Sequence, residues 1–261
     1  MTRARGIAVV LVLLGLALTV AALSAPIPQD PAYHRLADHR TFLGIPNALN
    51  VLSNAPFVVV GALGAWMLRP GASPFVDNRE RWPWGVFFIA FLLTGLGSVY
   101  YHLAPSDARL VWDRLPLAAA IMGLFAAVVA ERIDVRAGLA LLAPLVAVGL
   151  ASVLWWHVGE ARGRGDLRLY ALVQFYPMVA IPVMLIVFRP RYTLAGAVMV
   201  AVGVYAFAKV FELLDGPILR LGSVVSGHTL KHVAVGMAGY VLVWMLERRR
   251  PSTVTPGRGT R

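Results

Sequence analysis

The sequence contains no cysteine. That excludes a disulfide framework, a thiolate zinc site and a cysteine nucleophile. Any metal must therefore be held by His, Asp or Glu. Charge is scarce too: 14% of the 261 residues are charged, where soluble domains carry about a quarter. Hydrophobic residues make up 59% and mean hydropathy is +0.71. These values exclude a disordered chain and argue against a soluble one. Acidic residues are the scarcest charged class, 13 against 24 basic, for a net charge of +11. In a soluble protein that excess would suggest nucleic acid. Here it reads as loop charge facing anionic lipid, and no nucleic-acid partner is expected.

What is present is a series of long apolar runs. A helix needs about 20 apolar residues to cross about 30 Å of hydrocarbon. Eight stretches qualify, near 7–23, 47–68, 84–103, 110–131, 137–156, 168–188, 193–212 and 226–246. The expected fold is an all-α integral membrane protein, a seven-helix bundle plus one extra N-terminal helix. Residues 1–25 read as an anchor or signal-like segment, since Arg3 and Arg5 precede an apolar run ending in Ala-Ala-Leu-Ser-Ala. Residues 26–247 read as the seven-helix domain and 248–261 as a basic, disordered tail. With the N-terminus inside, inner segments hold fourteen arginines and outer ones seven. That asymmetry predicts an inner-membrane protein with a cytoplasmic C-terminus.

Polar residues inside spans are costly and mark function. Under this topology they gather at the outer ends. Ser98 and His102 close span three, and Asp113-Arg114 open span four. Lys209, Glu212 and Asp215 close span seven, and His228, Lys231 and His232 open span eight. His228 and His232 are four apart and share one helical face, as do Ser98 and His102. Two imidazoles at that spacing can chelate one ion. His102 would complete a three-His set, the usual open arrangement of catalytic zinc. Blander readings exist for single residues. Ser98 and the span glycines suit helix packing, Asp113 suits a cap or a pair with Arg114, and Glu212 with Lys209 suits a structural ion pair. Asn47, Asn50 and Asn54 lie on one stripe and suit bonds to neighbouring helices. Trp82, Trp84, Trp155, Trp156 and Tyr170 read as interfacial belt residues.

The combination Ser98-x3-His102, Asp113 within Trp-Asp-Arg-Leu-Pro, and His228-x3-His232 resembles the alkaline ceramidases, of the superfamily that includes adiponectin-receptor-like proteins. Asn50-Val-Leu-Ser53-Asn54 is similar to the Ser-Asn element of that family's first helix, and the likeness runs from about Asp38 to Glu247. It implies a membrane amidase with zinc on His102, His228 and His232, and with Ser98 and Asp113 as catalytic groups. The reaction expected is hydrolysis of a ceramide-like or other N-acyl lipid to a fatty acid and a long-chain amine, with Asp113 as general base. Arg114 and Leu117 depart from the family, which carries an acidic residue and Met there. Family calcium ligands are reduced to Asp38 and Asn47. Two other classes fit the histidines: a receptor- or channel-like protein with structural zinc, and a haem-binding electron carrier. Of the two outer acids near span four, Asp113 is favoured over Asp107, which reads as an exposed turn or cap.

Overall fold

The structure is a computed structural model that describes residues 1–69 and 75–252. Those residues contain ten α-helices and no named strand. The helices are α1 Arg3–Leu23, α2 Ala48–Leu52, α3 Ala55–Met67, α4 Arg81–Leu103, α5 Asp107–Arg132, α6 Val135–Glu160, α7 Arg168–Val187, α8 Gly196–Leu213, α9 Asp215–Gly222 and α10 Gly227–Arg248. Counting α2 with α3, and the single turn Asn78–Glu80 with α4, eight helical segments are long and apolar enough to cross a membrane. The chain is a multi-pass, all-helical membrane protein.

Helix α4 packs on α3 and α5, α5 on α6, α6 on α7, α7 on α8, α8 on α10, and α10 back on α3, with α5 also touching α7. These contacts close a ring of seven helices. Helix α1 packs on α7 outside that ring and is little buried. Short polar N-caps start the helices where the sequence supplies them: Ser106 accepts from Arg109 N, Asp134 from Ala137 N, and Ser226 from Thr229 N.

Four differences from the sequence reading bear on the site. The span expected at 47–68 is broken into α2 and α3 at Ser53-Asn54, just before Pro56, whose missing N–H cannot join a helical ladder. The stretch after Glu212 forms an extra short helix, α9. Trp84, Trp156 and Tyr170 are not belt residues: all three are buried, whereas Trp82 and Trp155 are exposed. Each buried ring has a cation against or beside it, so buried charge drew it inward. The tail expected from 248 starts anchored: Arg249 is buried and bonds Glu131 at 2.7 Å. The rest of that tail, from 253, lies outside the described residues.

The longest connection, between α1 and α2, crosses one end of the bundle and is tied to most loops there. Ile27 O accepts from Leu167 N at 2.8 Å. Tyr33 Oη donates to Glu212 at 3.1 Å, and Ala37 N donates to Asp215 at 2.9 Å. Burial pushes the Tyr33 hydroxyl well above its usual range, with the Glu212 charge adding to it.

Candidate metal centre and its cavity

Two helices bring the histidines together. His102 comes from the last turn of α4, and His228 and His232 from the first turns of α10. Two glycines permit the approach. A Cβ on Gly97 would overlap the Trp112 carbonyl, so only glycine lets α4 and α5 close there. That closeness sets Ser98 beside Asp113. A Cβ on Gly227 would overlap the Phe211 carbonyl and crowd Asp215. The α10 N-terminus therefore sits in the α8–α9 corner, where His228 N donates to Asp215 at 2.8 Å.

His102 Nε2 lies 3.3 Å from both His228 Nε2 and His232 Nε2. All three residues are buried and could hold a metal ion. They are the one cluster of three such side chains among the described residues. The spacing fits a small tetrahedral ion, since two nitrogens at about 2.0–2.1 Å from one zinc stand about 3.3 Å apart. The surroundings orient one ring directly. Ser53 Oγ lies 2.9 Å from His232 Nδ1 and donates to Asn50 O at 3.1 Å. The Ser53 oxygen can then accept from Nδ1–H, which leaves Nε2 free to bind. Asn50 is fully buried, donates to Asp38 O at 2.8 Å and accepts from Thr229 Oγ1 at 3.1 Å. Asn50 thus bonds a neighbouring segment beside the centre, whereas Asn54 Nδ2 bonds only Asn50 O and Val51 O of its own segment.

A cavity of about 330 Å³ opens beside His232. Ser98, Asp113, His232, Lys231, Glu212 and Arg114 supply its polar wall. Glu212 binds both lysines, Lys209 at 2.7 Å and Lys231 at 2.9 Å. The expected Lys209–Glu212 pair is therefore present within a larger triad. Lys231 Nζ also lies 3.0 Å from His228 Nε2. A second, apolar cavity of about 70 Å³ shares Leu117, Gln174, Tyr205 and Val235 with the first and leads past Phe91 to Leu242 in the core.

Other candidates lie apart. Both carboxylate oxygens of Asp38 accept from Arg40, at 2.8 and 2.7 Å, and that guanidinium holds the Asp38 carboxyl below its usual range. Asn47 Nδ2 donates to His102 O at 2.8 Å. The Asp38 carboxylate and the Asn47 amide nitrogen are thus each engaged by protein groups. Asp107 is not the cap of α5, a role Ser106 takes. Its Oδ1 lies 3.0 Å from His34 Nε2. Asp113 neither caps a helix nor pairs with Arg114.

Two site residues carried little sequence signal. Lys231 was visible as one of two lysines, three residues after His228, yet nothing local set it in the cavity wall. Arg114 was visible only as a departure from a pattern. Its burial depends on Gln29, Trp156 and Tyr170, which are remote in sequence. Compared with known proteins, the sequence matches no protein-family model and no curated protein.

Proposed function

We propose that the chain is a zinc-dependent intramembrane amidase that hydrolyses N-acyl lipids to a fatty acid and an amine. The single observation that carries this reading is the adjacency of three converging imidazole nitrogens to one cavity wall with Ser98 and Asp113. Zinc on His102, His228 and His232 would acidify a water and polarise an amide carbonyl. Three imidazole nitrogens that converge on one point suit one small ion better than a haem.

The chain's own groups divide the remaining work. Asp113 Oδ takes the proton of the attacking water and returns it to the leaving amine nitrogen, as base and then acid. Ser98 Oγ, beside it, donates a hydrogen bond to the Asp113 carboxylate or to the developing oxyanion. Lys231, held by Glu212, adds positive charge at the same wall. The apolar extension toward Leu242 takes the acyl chain and keeps bulk water from it.

The arginine asymmetry supports an orientation with the site toward the outer face and the C-terminus in the cytoplasm. A reporter fused after Arg261 should be active only in the cytoplasm, and activity only outside would reverse that orientation. The functional reading is tested by mass spectrometry of lipids after incubating purified protein with mixed N-acyl lipids. The expected result is a paired rise of a free fatty acid and its amine. An unchanged lipid pool in a zinc-loaded preparation would overturn the reading.

A further inference from the structure

Arg114 is a buried cation whose charge no protein carboxylate takes up. The residue is 5% exposed and forms no ion pair among the described residues. Its Nη2 donates to the neutral Gln29 Oε1 at 2.7 Å. Three aromatic rings surround the guanidinium, with centroids at 4.3 Å (Trp156), 5.0 Å (Tyr170) and 5.5 Å (Tyr33). Its Nη1 is buried with no hydrogen-bond partner, and so is the Trp156 indole nitrogen. Arg114 also lines the cavity that holds Asp113 and His232. A buried donor left without an acceptor costs about 1–3 kcal/mol, and more when charged. Arg114 thus holds an unsatisfied donor in a residue that lines the cavity and has no carboxylate partner, and an acceptor arriving with a ligand would satisfy it.

The charge of the wall selects the acceptor. Arg114, Lys209 and Lys231 contribute three positive charges, and Asp113 and Glu212 two negative ones. Glu212 is committed to both lysines. The Lys209–Glu212–Lys231 triad keeps one positive charge in surplus, and Arg114 adds a cation with no carboxylate in contact among the described residues. An anionic acceptor suits such a wall. Guanidinium is also the cation best shaped for a planar carboxylate.

We infer that Arg114 binds a carboxylate of the amphiphile that enters this cavity. The inference rests on the amidase reading for the identity of that amphiphile, and the carboxylate has two possible sources there. It belongs either to an acidic head, as in an N-acyl amino acid, or to the fatty acid that amide cleavage releases.

The test is equilibrium binding to the purified full chain in detergent with two matched pairs of probes. N-dodecanoylglycine against N-dodecanoylethanolamine reports a head carboxylate. Dodecanoate against dodecanol reports an acyl carboxylate. The parent should prefer the anionic member of at least one pair by about tenfold to a hundredfold, the worth of a charged hydrogen bond. The pair that shows the preference identifies the source. Arg114→Met, which keeps the linear apolar stem, should remove the preference while the neutral probe binds as before. Arg114→Lys should keep part of it. A residue that merely braces helices would leave all four probes ranked as in the parent. Equal affinities within both pairs for the parent overturn the proposal whether or not either variant folds, and so does a preference that survives in a folded Arg114→Met. Released dodecanoate, assayed in the same amide mixtures, reports the amidase reading separately.

Discussion

The two ends of the bundle both bury charge, and they do so differently. At the end away from the cavity, Arg249 bonds Glu131 at 2.7 Å, and Trp84 Nε1 donates to the same carboxylate at 2.8 Å. Arg191 pairs with Glu80 at 3.2 Å, and the Tyr192 hydroxyl donates to Glu80 as well. Each of these charges has an opposite charge in contact, and no histidine takes part. At the other end, Asp113 and Arg114 have no ionic partner among the described residues. Three imidazoles converge there without a carboxylate among them, and a cavity runs alongside. Buried polarity that closes on itself locks helices together, whereas polarity left open around a cavity is available to a ligand. Both ends cost desolvation; Arg249 keeps Nε and Nη2 without a hydrogen-bond partner but has Glu131 in contact, whereas Arg114 has no opposite charge in contact among the described residues.

The contrast between the two ends should show most at Asp113. Asp113→Asn should lower amide hydrolysis by about a hundredfold to ten-thousandfold, the usual loss for a general base. Metal content should not change, because the proposed mechanism gives the carboxylate a proton to move and no place among the ligands. Loss of metal in that variant would make Asp113 a ligand or a support for one.

At the closed end the effect should fall on stability instead. Arg249→Met leaves Glu131 buried with only the Trp84 indole, and breaking a buried pair costs about 3–5 kcal/mol. Thermal denaturation in detergent should show the drop, with metal content and residual activity per folded molecule unchanged. A variant that loses activity while keeping its melting temperature would mean the two ends are not separable in this way.

The smallest effect is expected for the pair at the rim of the open end. Asp107 meets His34 with the Asp107 side chain 40% exposed, and such pairs contribute at most about 1 kcal/mol. Asp107→Asn should melt within a few degrees of the parent and hydrolyse lipid at nearly its rate. A dead Asp107→Asn would mean that the base has been assigned to the wrong acid.

The same contrast explains what the sequence could and could not reveal. Spans were legible because uninterrupted apolar runs of about 20 residues are the signature of helices that cross hydrocarbon. The three histidines were legible because i,i+4 spacing fixes a shared face and because intramembrane histidines are rare. The break at Ser53-Asn54 was hidden by continuous apolarity on either side, although Pro56 signalled it. Trp156 and Tyr170 were misjudged because an aromatic residue near a span end reads as interfacial unless a buried cation draws it inward. That cation, Arg114, is positioned by three segments far apart in sequence, the connection holding Gln29 and Tyr33, α6 and α7, and no local pattern encodes such a cage.

Metal content of the detergent-purified full chain tests the centre most directly. One three-His site predicts about one zinc per chain. His102→Ala and His232→Ala should each lose most of it while remaining helical by circular dichroism. Purified protein that takes up no zinc, or variants that retain the parent's full content, would contradict the assignment of this end of the bundle as a metal centre.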